Sequence, residues 1–282
     1  MRSVKSESST PALATGARTQ AAASARDAAA DRRFLIGHLL WPLIALAVLS
    51  AWAMLLGGDF WLADRFYAWQ GGQWSLQRAF LTEAVIHQFG RDASTAAWLG
   101  VFGFWLVARL RPKLADWRRP LGYLLLASLI SIALVSGLKS LTNMDCPWDL
   151  SRYGGTREFF GVFSLRPSGL ARGICFPAGH ASAGYGWIGL YFFFLMTQPR
   201  LRWLGLGIAL GFGALFGFSQ QLRGAHFVSH DVWTLSISWF VSLALYLAMG
   251  GRRSQVSTAF EHRRLAGDAN APIPQRGIAS GK

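Results

Sequence analysis

Uncharged apolar runs alternate along this chain with short segments that hold nearly all of its charge, and this alternation restricts it to one class of fold. Six runs are read, at about Phe34–Gly57, Ala93–Ala108, Leu121–Leu138, Ala181–Thr197, Trp203–Phe218 and Val232–Met249. A helix crosses the ~30 Å hydrocarbon core with roughly 20 apolar residues, and about 17 are tolerated. The second and fifth runs are short by that measure. Only 15% of the 282 residues are charged while 52% are hydrophobic, against roughly 25% charged in soluble domains. Such a chain cannot cover a fully wetted surface, and it is too apolar to be disordered throughout. Its net charge of +14 would suit a nucleic-acid binder, but 13 tryptophans and the long uncharged runs do not, so no nucleic-acid partner is expected. The expected fold is all-α, an integral membrane six-helix bundle with a long outer loop and disordered termini.

The charged segments orient the bundle, because cationic loops stay on the cytoplasmic side. With the N-terminus inside, the inside segments 1–33, 109–120, 198–203 and 251–282 carry +3, +4, +2 and +4, whereas the outside segments 58–93, 139–182 and 219–231 carry −1, +2 and 0. Both termini are therefore expected in the cytoplasm, in the multi-pass arrangement of a bacterial inner-membrane protein. Residues 1–33 read as a disordered cytosolic tail, since the first apolar run begins too far from Met1 for a secretory signal. Residues 251–282 read as a second tail and 34–250 as the membrane domain. Within 58–93 the amphipathic stretch Leu76–Phe89 is expected to lie on the membrane surface. Residues 139–182 form an outer loop longer than mere connection requires. In the fifth run, glycines from Gly205 to Gly217 would let helices approach closely.

Titratable groups cluster at the expected outer ends of different runs. Lys139 ends the third, His180 opens the fourth, and Arg223, His226, His230 and Asp231 lie between the fifth and sixth. Such groups at membrane depth are expensive and usually functional. Cleaving a phosphate ester needs a nucleophile or activated water, an acid for the leaving oxygen, and positive charge at the phosphoryl oxygens. These residue types supply all three. Blander roles stay open: Lys139 could snorkel to the interface, and Arg223 could bind lipid head groups. His226 and His230 at i, i+4 could be two metal ligands, although no third ligand stands at useful spacing. No metal and no cofactor are expected.

Around these positions the chain reads Lys139-Ser-Leu-Thr-Asn-Met-Asp-Cys146-Pro147, then Pro177-Ala178-Gly179-His180, then Ser219-Gln220-Gln-Leu-Arg223-Gly-Ala-His226-Phe-Val-Ser-His230-Asp231. This resembles the type 2 phosphatidic acid phosphatase superfamily of membrane lipid phosphatases, related to vanadium-dependent haloperoxidases, over about residues 34–250. That family shows Lys, six residues, Arg-Pro; then Pro-Ser-Gly-His; then Ser-Arg, five residues, His, three residues, Asp. Here the motif arginines are Cys146 and Gln220, the motif Ser is Ala178, and the motif Asp is His230 with Asp231 one residue later. Two lost arginines remove bidentate phosphate clamps. Arg223 is the candidate substitute, with Arg152, Arg166 and Arg172 as further ones.

The resemblance implies roles for each residue. His226 would be the nucleophile, forming a phosphohistidine, with Asp231 or His230 fixing its other nitrogen. His180 would protonate the leaving alkoxide and then activate water, while Lys139, Arg223 and the Gly179 amide hold the phosphate. The implied function is a membrane phosphatase hydrolysing a phosphate monoester or pyrophosphate of a lipid at the outer, periplasmic leaflet. Its partners would be a phosphorylated lipid substrate and membrane lipids; the oligomeric state is not indicated. Phosphatidate-like lipids, phosphatidylglycerophosphate, isoprenyl phosphates and lipid A phosphates are not separated. Alternatives are a lipid phosphotransferase of the same superfamily, or a non-catalytic lipid-binding or transport protein.

Cys146 and Cys175, the only two cysteines, both fall in the outer loop. Facing an oxidising space they are expected to form a disulfide, the alternative being two small buried thiols. The bridge would close a loop of roughly 30 residues, worth about 3 kcal/mol in the chain-entropy model. It would also tether the Lys139 stretch to the His180 stretch.

Overall fold

A computed structural model describes residues 24–251 apart from 163 and 165; the remainder of the two expected tails, 1–23 and 252–282, lies outside the described residues. Among the described residues the chain is all-helical, without strands. In chain order the helices are α1 (Ser24–Met54), α2 (Gly58–Trp69), α3 (Leu81–Leu110), α4 (Pro112–Leu141), α5 (Ser182–Tyr185), α6 (Gly189–Thr197), α7 (Pro199–Leu222) and α8 (Val228–Ala248). Of these, α1, α3, α4, α7 and α8 are long and apolar enough to cross a membrane. The chain divides into two compact units, Met1–Leu49 and Ser50–Lys282. In the first, helix already begins at Ser24, inside the stretch expected to be a disordered tail. His38 there bonds the Phe34 carbonyl (2.9 Å) and stacks on the Phe34 ring, a packed residue.

Prolines divide the second unit. Arg111 before Pro112 and Gln198 before Pro199 leave helical backbone (ψ 114° and 83°), as the clash of a proline ring with the preceding residue requires. Each proline then opens the next helical turn, where its missing N–H costs nothing. Helix α4 is central and packs on α3, α6 and α8. It buries Leu121, Leu124, Ala127, Ser131 and Val135, while Leu126, Leu129 and Leu134 on its other side are exposed. A helix apolar on both faces suits lipid on one of them. Polar ties at depth link the helices: the Tyr123 hydroxyl donates to the Ser242 carbonyl (2.8 Å) and the Trp98 indole to the Ser128 hydroxyl (3.0 Å).

Two expected elements differ. Ala181–Thr197 is not one regular helix but α5 and α6 joined by a 3₁₀ turn at Gly186–Ile188. At ~1.5 Å per residue the pair falls short of the hydrocarbon thickness. Glycine weakens a helix by about 1 kcal/mol relative to alanine, and this run holds Gly184, Gly186 and Gly189. Leu76–Phe89 is not a surface helix either. Its Leu81–Phe89 portion is a π-helical segment that runs straight into Gly90–Leu110, so α3 begins well before Ala93. The separate helix in that region is α2, which the sequence reading did not identify.

The 142–181 segment is tied down rather than loose. Asp145, fully buried, accepts from Arg157 (2.6 Å) and Arg166 (2.5 Å). Arg152 and the Tyr153 hydroxyl both donate to Asp64 of α2. A disulfide joins Cys146 to Cys175, the Cys175 N–H donates to Met144 O, and the Thr142 hydroxyl donates to Phe176 O.

Glycines set how closely α5 meets α7. A Cβ on Gly184 would lie 2.3 Å from the Gly213 nitrogen, and one on Gly213 would lie 2.1 Å from the Tyr185 ring. Backbone cannot yield as a side-chain tip can, and even ordinary overpacking costs about 1–3 kcal/mol. Gly184→Val is therefore expected to lower unfolding free energy by at least ~2 kcal/mol. Denaturation of the purified protein in detergent checks this; an unchanged midpoint would refute the close crossing.

Candidate active site

Four pieces of backbone meet at one end of the second unit: the C-terminus of α4, the turn before α5, the C-terminus of α7, and the turn that opens α8. The chain reverses between α7 and α8 at Gly224, whose φ of +72° is left-handed and where a Cβ would strike the Trp74 ring at 2.4 Å. Only glycine meets both conditions. The reversal places His226 just ahead of α8 and His230 in its first turn, one helical turn apart. Their Nδ1 atoms are 3.1 Å apart, and both rings are buried.

That distance imposes a chemical condition. Two Nδ1 atoms can share a hydrogen bond only if one carries the proton and the other accepts it. With the proton on His226 Nδ1 the lone pair is left on Nε2; with His230 as the donor, His226 carries its proton on Nε2. Burial first, then the neighbouring His230, Lys139 and His180, holds the His226 imidazole well below the usual histidine range, against a hydrogen bond to the Cys175 backbone that opposes the shift. His226 is therefore neutral at pH 7, the form in which a nitrogen can attack.

The other histidine faces it. The His180 and His226 ring centroids are 6.3 Å apart, with planes tilted by 42°. Lys139 closes the third side: a Cβ on Gly179 would sit 3.4 Å from Lys139 Nζ. Residues 176–180 are locked onto α8, where the Ala178 N–H donates to the His230 carbonyl (3.2 Å) and Thr234 donates to the Ala178 carbonyl (3.0 Å). Lys139, Gly179, His180, His226 and His230 are thus brought together. His226 and His230 face each other rather than a common third donor. No group of three or more His, Cys, Asp or Glu side chains arranged to hold a metal occurs among the described residues.

The remaining expected site residues point elsewhere. Asp231 does not reach His226. Its carboxylate accepts from the Gln221 amide (2.5 Å) and lies against Gly217 of α7, where a Cβ would approach it to 2.6 Å. One residue of helix rotates a side chain by about 100°, so His230, and not Asp231, takes the position beside His226. Arg223 turns away as well, donating through Nε to the Gln77 carbonyl (2.8 Å) with Nη2 3.8 Å from Glu83. The further candidates are engaged too: Arg152 with Asp64, Arg166 with Asp145, and Arg172 with the Ser140 carbonyl.

Two residues absent from the sequence-based site appear beside it. Asp59 of α2, buried, accepts from both the N–H (2.8 Å) and the hydroxyl (2.6 Å) of Ser229, capping the first turn of α8 from outside that helix. Arg91 of α3 lines a cavity with His180 and Gln220. Neither lies in a motif stretch, and the only signal available was charge inside segment 58–93.

Residues 120–254 match the family model of the PAP2 superfamily. No curated protein and no solved structure matches the chain. The matched stretch carries Lys139, Gly179, His180, His226 and His230, whereas Asp59 and Arg91 lie ahead of it.

Burial pushes Asp59 up to about 6 from 3.8, against the two Ser229 hydrogen bonds that lower it. A carboxyl raised in the folded state keeps its proton where the unfolded chain has lost it. Its stabilising contribution is present at low pH and is lost as pH rises from about 4 to about 6. The stability of the native protein relative to Asp59→Asn should therefore fall by up to ~3 kcal/mol across that window, at about 1.4 kcal/mol per unit. Paired denaturation curves at pH 4 and pH 7 measure it; a difference that does not change with pH would refute the shift.

Proposed function

We propose that this chain, whose residues 120–254 match the PAP2 superfamily model, is a membrane phosphatase that hydrolyses the phosphate monoester or pyrophosphate of a lipid through a phosphohistidine. One observation carries this reading: His226 is held through Nδ1 by His230 while its ring faces His180 across 6.3 Å. An oriented neutral nucleophile and a facing acid are what phosphoryl transfer by histidine requires. The substrate phosphate binds between these rings beside Lys139 and the Gly179 amide, whose cation and N–H balance the phosphoryl charge.

The steps follow from that geometry. His226 Nε2 attacks phosphorus as the bond from phosphorus to the lipid oxygen breaks. His180, protonated, gives its proton to that oxygen. The charge gained by the phosphorylated ring is shared through the Nδ1 hydrogen bond with neutral His230. His180, now neutral, takes a proton from water as the water oxygen attacks phosphorus. The phosphorus–nitrogen bond then breaks, phosphate leaves, and both histidines return to their starting forms. A carboxylate at position 230 would do the orienting with a negative charge; His230 does it without one.

Charge supports the placement. Residues 34–250 form the membrane domain, and the excess cations of the inside segments draw both termini to the cytoplasm of a bacterial inner membrane. The Lys139, His180 and His226 end then meets the periplasmic leaflet, where the Cys146–Cys175 disulfide suits an oxidising space.

Purified protein should release phosphate from at least one of a panel of phosphatidate, phosphatidylglycerophosphate, isoprenyl pyrophosphate and lipid A. His226→Ala and His180→Ala are each expected to lose at least ~100-fold in rate, the usual weight of such groups. With radiolabelled lipid, His180→Ala should accumulate acid-labile label on His226, because attack survives longer than hydrolysis. Equal rates for the wild type and both variants, or no release from any lipid, would overturn the reading.

A further inference from the structure

The two arginines that the family pattern places at the phosphate are Cys146 and Gln220 here, and the arginines nearest in sequence are engaged elsewhere. Arg223 serves Gln77 and Glu83, Arg152 serves Asp64, Arg157 and Arg166 serve Asp145, and Arg172 serves the Ser140 carbonyl. A phosphoryl group held by Lys139 alone would meet a point charge, without the planar fork that fits phosphate oxygens. Another part of the chain brings such a fork to the vacated place.

Arg91, in the first turn after the π segment of α3, lines a cavity with Ile86, His180, Ala183, Phe216 and Gln220. Three ties fix it there. A Cβ on Gly90 would lie 2.6 Å from the Phe216 ring, so α3 presses onto α7 one turn before Gln220, on the face that Gln220 shares. Ser94, one turn beyond Arg91, donates to the Ala183 carbonyl (2.7 Å), and the Trp187 indole donates to Ser94 (2.9 Å). Ala183 in turn donates to the His180 carbonyl (3.1 Å). The start of α3 is therefore pinned both to the face of α7 that carries Gln220 and to the turn that carries His180. The Arg91 side chain is 59% exposed and pairs through Nε with the adjacent Asp92 (3.1 Å). An exposed pair of this kind is worth ~0–1 kcal/mol, little enough for an incoming phosphate to compete.

We propose that Arg91 binds the phosphoryl oxygens of the substrate from the His180 side, a guanidinium supplied by α3 in place of the one absent at Gln220. This rests on the reading that a phosphate ester binds between His180 and His226. The Gln220 amide and Arg91 then share one oxygen-binding wall of the cavity, and Ile86 and Phe216 bound it with apolar surface that suits the lipid portion of the leaving group.

The test uses the full chain in detergent, with inorganic phosphate and orthovanadate as probes in calorimetry and short-chain phosphatidate as the hydrolysed lipid. Arg91→Ala should weaken phosphate and vanadate binding at least tenfold and raise KM, and Arg91→Lys should recover only part of it. Adding Gln220→Arg to Arg91→Ala should restore binding, because it returns a guanidinium to the same wall; thermal unfolding of each variant reports its integrity. Arg109→Ala, at the far end of α3, should match the wild type throughout. Phosphate binding unchanged in Arg91→Ala would overturn the proposal, as would slower lipid hydrolysis at unchanged phosphate affinity, which marks a role at the lipid head-group interface. Failure of the wild type itself to bind either anion or release phosphate would overturn the phosphatase reading, and this proposal with it.

Discussion

The hydrogen bond between the Nδ1 atoms of His226 and His230 is the contact on which the site turns. A buried neutral imidazole has two nitrogens and one proton, and the nitrogen that carries the proton determines which one keeps a lone pair for chemistry. When His226 Nδ1 donates to His230 that nitrogen is Nε2, and burial beside Lys139 and His180 keeps the ring neutral. The backbone around the pair serves that arrangement. Gly224 turns the chain so that His226 arrives ahead of α8, Asp59 caps the first turn that carries His230, and Ala178 is bonded to α8 on both sides.

The same end of the unit shows how a family pattern can lose residues and keep its geometry. Gly179, His180 and Lys139 remain in register with His226, held by the Cys146–Cys175 bridge, the Met144–Cys175 backbone bond and the Thr142–Phe176 bond. The position where the family pattern has one arginine is Cys146, which is part of that bridge. The position of the other is Gln220, which faces a cavity that α3 reaches.

Arginine use in the 142–181 segment illustrates why residue type alone misleads. Arg152, Arg166 and Arg172 looked available because they are cations in a polar loop, where Arg157 lies as well. Asp145 has no exposure and takes Arg157 and Arg166, since a buried carboxylate left without partners is costly. A buried acid claims the nearest bases before a substrate can.

The all-helical class, the membrane-crossing helices and the superfamily were legible in the linear chain, because apolar runs and motif spacings are local and need no knowledge of packing. The spacings that single out His180, His226 and Lys139 are local too, and the fold brings these residues together. The start of α3 at Leu81 was not legible, since a π segment continues a helix through residues that look amphipathic. Nor was the place of the 3₁₀ turn between α5 and α6, although the glycines of that run were. The exchange of Asp231 for His230 beside His226 depends on helix rotation and on the Gln221 amide waiting across α7. Asp59 and Arg91 reach the site from 170 and 89 residues away in sequence from Ser229 and His180. Only tertiary packing could decide these, because hydrogen-bond partners are chosen by distance in space, which sequence spacing does not record.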